Sequence, residues 1–312
     1  MMPTISVVIP AYNAESTILE TISSVQEQTF SDFELIVIND GSTDRTPELL
    51  HTIKDSRLRI FSYENGGLCV ARNRGISHAT GEFISFLDAD DLWTPDKLEL
   101  QLAALQQHPD AGVAYSWTYF MDEKEGSRSF HPCEPVFIEG KVYAELLVKN
   151  FIASGSNVLI RRQAVESVGE FDPKCEGTAD WDYWLRLATK WSFVVVPKLQ
   201  VFYRRSSGSM SSKVEKMKKE ALIVLEKAYQ AAPQNFQHLE KKSLAWIYQY
   251  CTDSYLRHST DMKGIQQAGW HLYMAIRLQP KTLLEKHNQN LIKWFFKRWI
   301  LMRFPLLENY WG

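Results

Sequence analysis

Cysteine is scarce in this chain. Four cysteines in 312 residues, at 69, 133, 175 and 251, show neither the density of a secreted disulfide scaffold nor the CxxC spacing of a metal knuckle. They read as reduced cytoplasmic thiols. Long apolar runs are missing too, since no uninterrupted stretch reaches the roughly 18 residues of a membrane-spanning helix. The early run Ile5–Ile9 is short, lacks a basic leader and is cut off by Pro10, so it reads as a first strand and not as a signal core. Charge of one sign is also lacking: a formal net charge of −2 gives no global attraction to nucleic acid, which is therefore not an expected partner. What remains is an ordinary composition, 45% hydrophobic and 23% charged, long enough for one large domain plus an appendage.

Within that frame, strand-like apolar runs alternate with amphipathic segments. Ile5–Ile9 is followed by a helix near Glu15–Gln28, a strand at Glu34–Ile38, a helix after Asp44, a strand near Leu58–Tyr63, a helix near Leu68–His78 and a strand at Phe83–Leu87. That winding predicts an α/β fold with a mostly parallel sheet covered on both faces. In such sheets ligands lie beyond the carboxyl ends of the strands. Three of those ends carry polar or turn residues: Pro10-Ala11-Tyr12-Asn13, Asn39-Asp40-Gly41-Ser42-Thr43-Asp44 and Asp88-Ala89-Asp90. Tyr12 is placed to stack on a base, and Asp40 to accept a hydrogen from a base or ribose. Asp40-Gly41 also reads as a turn, and Asp44 as the cap of the following helix.

The densest chemistry is Phe86-Leu87-Asp88-Ala89-Asp90-Asp91, three carboxylates at the end of an apolar run. Asp88 and Asp90 are two apart, so on extended backbone their side chains point to one side and converge on one hard cation. With no His or Cys in the cluster, the ion is Mg2+ or Mn2+ and not zinc, which predicts phosphate chemistry. The plain alternative is a loop leading into the helix begun at Thr94-Pro95, and for Asp91 that turn role is the preferred reading.

Ser6-Val7-Val8-Ile9-Pro10-Ala11-Tyr12-Asn13, the Asn39–Asp44 run, Ala71-Arg72-Asn73-Arg74-Gly75 and Phe86–Asp91 resemble, in order and spacing, the successive motifs of family-two glycosyltransferases with the GT-A fold. The resemblance covers about the first hundred residues closely and continues more thinly to about residue 210. It implies a GT-A-type, Rossmann-like catalytic domain over 1–212, with a nucleotide-binding half at about 1–110 and an acceptor half at about 111–212. It also implies an inverting, metal-dependent transfer from a nucleotide-sugar donor, with UDP the commonest expectation, to a saccharide, lipid-linked glycan or glycoprotein. Pro10, Ala11, Tyr12 and Glu15 would border the base and Asp40 would hydrogen-bond it. Asp88 would approach ribose or metal, Asp90 would be the principal metal ligand, and Arg72 would lie near the nucleotide, a helix-surface ion pair being its alternative.

Farther on, Thr178-Ala179-Asp180-Trp181-Asp182-Tyr183-Trp184-Leu185-Arg186 resembles the family's acceptor-side motif, in which the position of Asp180 belongs to the catalytic base. Trp181, Trp184, Leu185 and Ala188 fall at helical spacing and need only a core to explain them. Asp182 has Arg186 one turn on and reads as a surface ion pair, whereas Asp180 has no such partner. Ala179 replaces a frequent Glu, and Ser206 follows Arg205 where a His is frequent; together they motivate the rival reading of a nucleotide-sugar or glycan-binding protein without catalysis. A sugar nucleotidyltransferase would want a glycine-rich, basic loop after the first strand, and Ala11–Glu15 is not one. Ser154-Gly155-Ser156-Asn157-Val158 resembles the segment lining the sugar cleft, or is a simple loop into a strand. Ser206–Ser212 reads as a mobile loop or a linker.

Beyond residue 212 the pattern is helical without strand signals, predicting an all-helical extension over 213–312. Leu222, Val224, Leu225 and Ala228 form one stripe. Ala232-Pro233 and Gln279-Pro280 resemble helical-hairpin ends, but their prolines are 47 residues apart, outside the tetratricopeptide period. From Lys293 to Arg303, four basic residues interleave with Trp294, Phe295, Phe296 and Trp299. Such a helix suits the surface of anionic lipid, a peripheral site on the cytoplasmic face, or packs its aromatics on the catalytic domain.

Overall fold

The computed structural model describes residues 2–124, 127–205 and 213–304. The Ser206 departure and the Ser206–Ser212 run lie outside the described residues. Two compact units divide the chain: Met1–Leu146 with Asn150–Ser206, and Leu147–Lys149 with Ser207–Gly312.

In chain order the strands are β1 (Ile5–Ala11), β2 (Phe33–Asp40), β3 (Leu58–Tyr63), β4 (Phe83–Phe86), β5 (Leu92–Trp93), β6 (Ala111–Lys124), β7 (Ser127–Pro132), β8 (Leu159–Arg161) and β9 (Ser192–Arg205). The helices are α1 (Ile18–Gln26), α2 (Thr46–Thr52), α3 (Leu68–His78), α4 (Lys97–Gln107), α5 (Tyr143–Val148), α6 (Arg162–Val168), α7 (Ala179–Ala188), α8 (Val214–Ala231), α9 (Glu240–His258), α10 (Met262–Leu278) and α11 (Lys286–Arg303).

The first unit is one sheet in the order β3-β2-β1-β4-β8-β6-β9-β5, with β7 paired to β6. Its first four strands are parallel, and every residue of β1 and β2 is buried, as continuous Val/Ile runs covered on both faces require. α1 presents Ile18, Thr21, Ile22 and Val25 to this core, and α3 lies close over β1 because Gly75 has no Cβ; one built there would stand 2.1 Å from Val8 Cγ1. Beyond β4 the sheet becomes mixed: β8 runs antiparallel to β4 and β6, while β6 and β9 are parallel. All three loops singled out by the sequence emerge at the carboxyl ends of β1, β2 and β4.

α7 buries Trp181, Trp184, Leu185 and Ala188 as the spacing predicts, but it also buries Tyr183 and Asp182. The Asp182–Arg186 pair forms at 2.9 Å, yet Asp182 is inside the protein and not on its surface. Packing around the whole helix overrides the two-faced pattern.

In the second unit, the buried face of α8 runs through Ala221, Val224, Leu225 and Tyr229, with Leu222 and Ala228 at its margin. Leu256, Ile265, Ala268 and Leu291 form a core on which Tyr255, Trp294, Phe295, Trp299 and Met302 pack. The aromatics of α11 are thus largely spent inside their own helical unit, Phe295 directly over Gly269. No helix among the described residues is long and apolar enough to cross a membrane.

Candidate active site

Of the three carboxylates in the acidic loop after β4, two are held by protein partners. The Asp88 N–H donates to Ser156 Oγ at 3.0 Å, and its carboxylate pairs with the Arg72 guanidinium at 2.7 Å. Arg72 comes from α3 and is 2% exposed, which removes the helix-surface alternative. Its guanidinium lies near the Phe171 ring, 5.3 Å from the centroid, and against Gly155; a Cβ at Gly155 would approach Nη2 to 2.5 Å. The missing side chain of Gly155 is therefore the space that Arg72 occupies.

Asp91 is the main correction to the sequence reading. It is fully buried and does more than make a turn: Ser156 Oγ donates to it at 2.5 Å, Ser154 Oγ at 3.3 Å and the Arg204 N–H at 2.9 Å. Burial, reinforced by the charges of Asp90 and Asp88, pushes its carboxyl well above the usual range. These bonds lash the acidic loop to Ser154-Gly155-Ser156, a segment that follows Ala153 in left-handed backbone at φ 70°. Asn157, also buried, staples the same segment to β6 through Ser116 and Thr118.

Asp90 differs from its neighbours. Its backbone carbonyl accepts from Arg204 Nε at 2.8 Å, but among the described residues no side chain hydrogen-bonds its carboxylate. Burial and the adjacent Asp88 charge raise that carboxyl to about 6. A carboxylate so placed gains from a cation, and its oxygens, beside the Asp88 oxygen that Arg72 does not take, suit a hard divalent ion. Among the described residues no three His, Cys, Asp or Glu side chains form a complete cage, so Asp88 and Asp90 would supply part of a shell that ligand oxygens and water finish. Arg204, unnoticed in the sequence, fixes this loop from β9, its side chain also pairing with Glu20 at 2.9 Å and Glu123 at 2.6 Å.

Asp180 begins α7. It has no basic residue one turn on to pair with, but Asn150 Nδ2 donates to Oδ2 at 2.9 Å, while its other oxygen takes the Trp181 N–H at 2.7 Å. Burial raises its pKa, the Arg72 charge and these hydrogen bonds pull it back, and Asp88 pushes it up again. Arg72 thus acts on two acids from distant segments. Ala179, in the place of the frequent Glu, is buried; the nearby acid Glu176 instead accepts the Leu68 N–H at the start of α3, at 3.0 Å.

On the nucleotide side, Pro10 and Ala11 are buried in β1, in register with Ile38 and Asn39, and Tyr12 projects half-exposed from the rim. Glu15 accepts the Arg45 N–H at 3.0 Å. Asp44 takes the Thr46 N–H at 2.9 Å in the turn before α2, but the N-cap position of that helix belongs to Arg45 and not to Asp44 as the sequence suggests. Asp40 is buried and already engaged: Gly66 N–H, Gly67 N–H and Arg74 Nη1 all donate to its carboxylate, at 2.7 to 3.1 Å.

The parallel α/β half carries an acidic loop at its rim, a buried acid opens α7, and comparison with known proteins places the arrangement. The model of the family described as "Glycosyltransferase like family 2" matches residues 6–254, and the chain belongs to that family. TuaG of Bacillus subtilis, assigned by name to teichuronic acid biosynthesis, is 32% identical over 231 residues, 71% of this chain and 87% of that one. An Escherichia coli relative, UDP-Glc:alpha-D-GlcNAc-diphosphoundecaprenol beta-1,3-glucosyltransferase WfgD, is 42% identical over 102 residues, 32% of this chain and 40% of that one. An uncharacterized glycosyltransferase of Rickettsia felis matches at 38% identity over 46% of this chain, which spans only 23% of that relative's length. Among solved structures, S. aureus TarS 1-349 in complex with UDP-GlcNAc aligns at a TM-score of 0.63 and 18% identity, covering 97% of this chain and 92% of that one. The mannosyltransferase PcManGT of Pyrobaculum calidifontis, in complex with GDP-Man and Mn2+, aligns at 0.61 and 19%, covering 98% and 88%. Those two likenesses establish the GT-A fold.

Proposed function

We propose that the chain is an inverting glycosyltransferase that moves a sugar from a UDP-linked donor to a hydroxyl of a lipid-linked saccharide. The observation that carries the reading is the bridge made by Arg72, paired with Asp88 on the donor rim and electrostatically coupled to Asp180 on the other side. Asp180 accepts the acceptor's hydroxyl proton as the oxygen bonds to the anomeric carbon and the bond to the diphosphate oxygen breaks on the opposite face. A carboxylate whose burial raises its pKa is a stronger base than one in water, and Asn150 fixes its direction. Asp90 and Asp88 would hold Mn2+ or Mg2+, which supplies charge neutralisation to a departing diphosphate. Tyr12, Glu15 and the backbone of Pro10 and Ala11 border the nucleotide, beside Asp40.

The uridine donor is supported by the names of the E. coli relative and the TarS complex, and the lipid-linked acceptor by the E. coli name. The GDP-Man complex of PcManGT makes GDP the competitor to test. We place the enzyme at the cytoplasmic face of a membrane, with contact chiefly through the charges of α11, since Trp294, Phe295 and Trp299 are used internally and only Phe296 stays exposed.

The test is calorimetric titration of UDP with and without Mn2+, beside transfer assays, on the native chain, Asp90→Asn and Asp180→Asn. Asp90→Asn is expected to lose the metal-dependent part of UDP binding, and Asp180→Asn to keep binding while losing transfer. Near-normal turnover by Asp180→Asn would remove it from the role. Donor binding by the native chain without turnover on any acceptor would favour the noncatalytic reading that Ala179 motivates.

A further inference from the structure

The helical unit holds polar chemistry that a spacer does not need. His271 of α10 is completely buried, and its Nδ1–H donates to the Gln267 carbonyl at 2.7 Å. Its Nε2 is 3.3 Å from Lys218 Nζ, which also pairs with Glu215 at 2.7 Å, and the Tyr255 hydroxyl donates to Glu215 at 2.8 Å. Burial lowers the His271 pKa and favours the neutral ring that such a contact with an ammonium requires. Buried polar chains of this kind are costly unless fully satisfied, and this one ends at a cavity.

That cavity has a volume of about 700 Å³ and is lined by Glu215, Lys218, Tyr255, Asp261, Gln267 and Trp270, with Lys218 Nζ 5.8 Å from the Trp270 ring centroid. The volume lies within the roughly 300–1,000 Å³ of small-ligand sites. Trp270, on the lining of this cavity, is 48% exposed. The charges balance: Lys218 and Lys263 stand against Glu215 and Asp261, so neither a phosphate nor a cation is favoured. Four charged side chains in the lining disfavour an acyl chain. A wide indole face beside fixed donors and acceptors of both kinds fits a ligand with an apolar C–H face and a rim of hydroxyls.

We propose that this cavity is a second, noncatalytic saccharide site that takes a neutral pyranose, stacked on Trp270 and hydrogen-bonded by Glu215, Lys218 and Gln267. It lies wholly within the helical unit and does not depend on the role given to Asp180. Saturation-transfer NMR on the full chain, with cellohexaose, maltohexaose and chitohexaose as probes, tests it. Binding of at least one probe is expected, weakened about tenfold in Trp270→Ala, partly restored in Trp270→Phe, reduced in Gln267→Ala and unchanged in Asp180→Asn. Circular dichroism checks that the variants fold, and the exposed Gln267 keeps the test open should Trp270→Ala fail to. Silence from all three probes would overturn the proposal. So would binding that survives both Trp270→Ala and Gln267→Ala, whereas binding lost only in Asp180→Asn would assign the signal to the catalytic cleft. Displacement of the sugar by inorganic phosphate would show an anion site and refute the neutral ligand.

Discussion

Replacing Arg72 by Met removes a charge on which two acids depend while keeping most of the stem. The guanidinium is buried, 2.7 Å from Asp88, and Met leaves that carboxylate without its counter-charge. Breaking a fully buried pair from one side costs about 3–5 kcal/mol, but Asp88 retains 24% of its side-chain exposure, so water restores part of its solvation and the expected loss is about 2–3 kcal/mol. Urea unfolding of Arg72→Met, Asp88→Asn and the double variant gives the coupling, expected to be at least about 1 kcal/mol. The second consequence has a definite sign. Arg72 holds the Asp180 pKa down, so its loss raises that pKa, and the acid limb of the transfer rate moves to higher pH while the alkaline limb stays in place. Stabilities that add to within about 0.5 kcal/mol, with an unmoved acid limb, would refute the reasoning.

Gly155→Ala places a methyl 2.5 Å from Arg72 Nη2, so the guanidinium must shift away from it; donor affinity in calorimetry is expected to fall about tenfold with a stability loss of about 1–3 kcal/mol, and unchanged affinity would show that Arg72 is not held from that side. Lys97 is fully buried, its Nζ donating to Ser85 at 2.6 Å, and burial lowers its pKa well below the usual value. The unfolded chain therefore binds more protons there, so native stability rises with pH up to about 10.5, and Lys97→Met is expected to gain about 1 kcal/mol at pH 7 in thermal unfolding, a gain that fades toward that pH. A gap independent of pH would mean that Lys97 stays charged inside. Vesicle sedimentation is expected to show binding of the chain to anionic lipid that disappears in about 0.5 M salt and in Lys293→Glu/Lys297→Glu, since Trp294, Phe295 and Trp299 are packed internally and the basic residues of α11 far outweigh the single exposed Phe296. Salt-resistant pelleting would contradict the internal packing of Trp294 and Trp299.

The sequence made the parallel half of the fold readable because buried strands and amphipathic helices have local periods; β3 and α3 begin and end at the residues the pattern predicts. It did not disclose which acids are buried. Asp91 is held by Ser156, 65 residues on, and by Arg204, 113 residues on, and no window short enough to show periodicity contains either partner. The same distance hid Asn150 from Asp180 and Gly155 from Arg72. Asp182 misled for a different reason: an i,i+4 pair reads as solvated unless the whole helix is enclosed. Lys97 carried no signal in the sequence, and only the fold shows its Nζ 3.8 Å from the Trp93 ring centroid.

The Asp40 carboxylate gathers the Gly66 and Gly67 amides and Arg74, so the entry to α3 is already shaped before anything arrives at the rim. The conformational entropy of ordering that loop is lost during folding and not again at the moment of association. A nucleotide that borrows an Asp40 oxygen must trade with donors already present, so its recognition is an exchange of hydrogen bonds whose enthalpies largely cancel. Selectivity at this rim then depends on how well a base replaces what it displaces, more than on the number of bonds it makes.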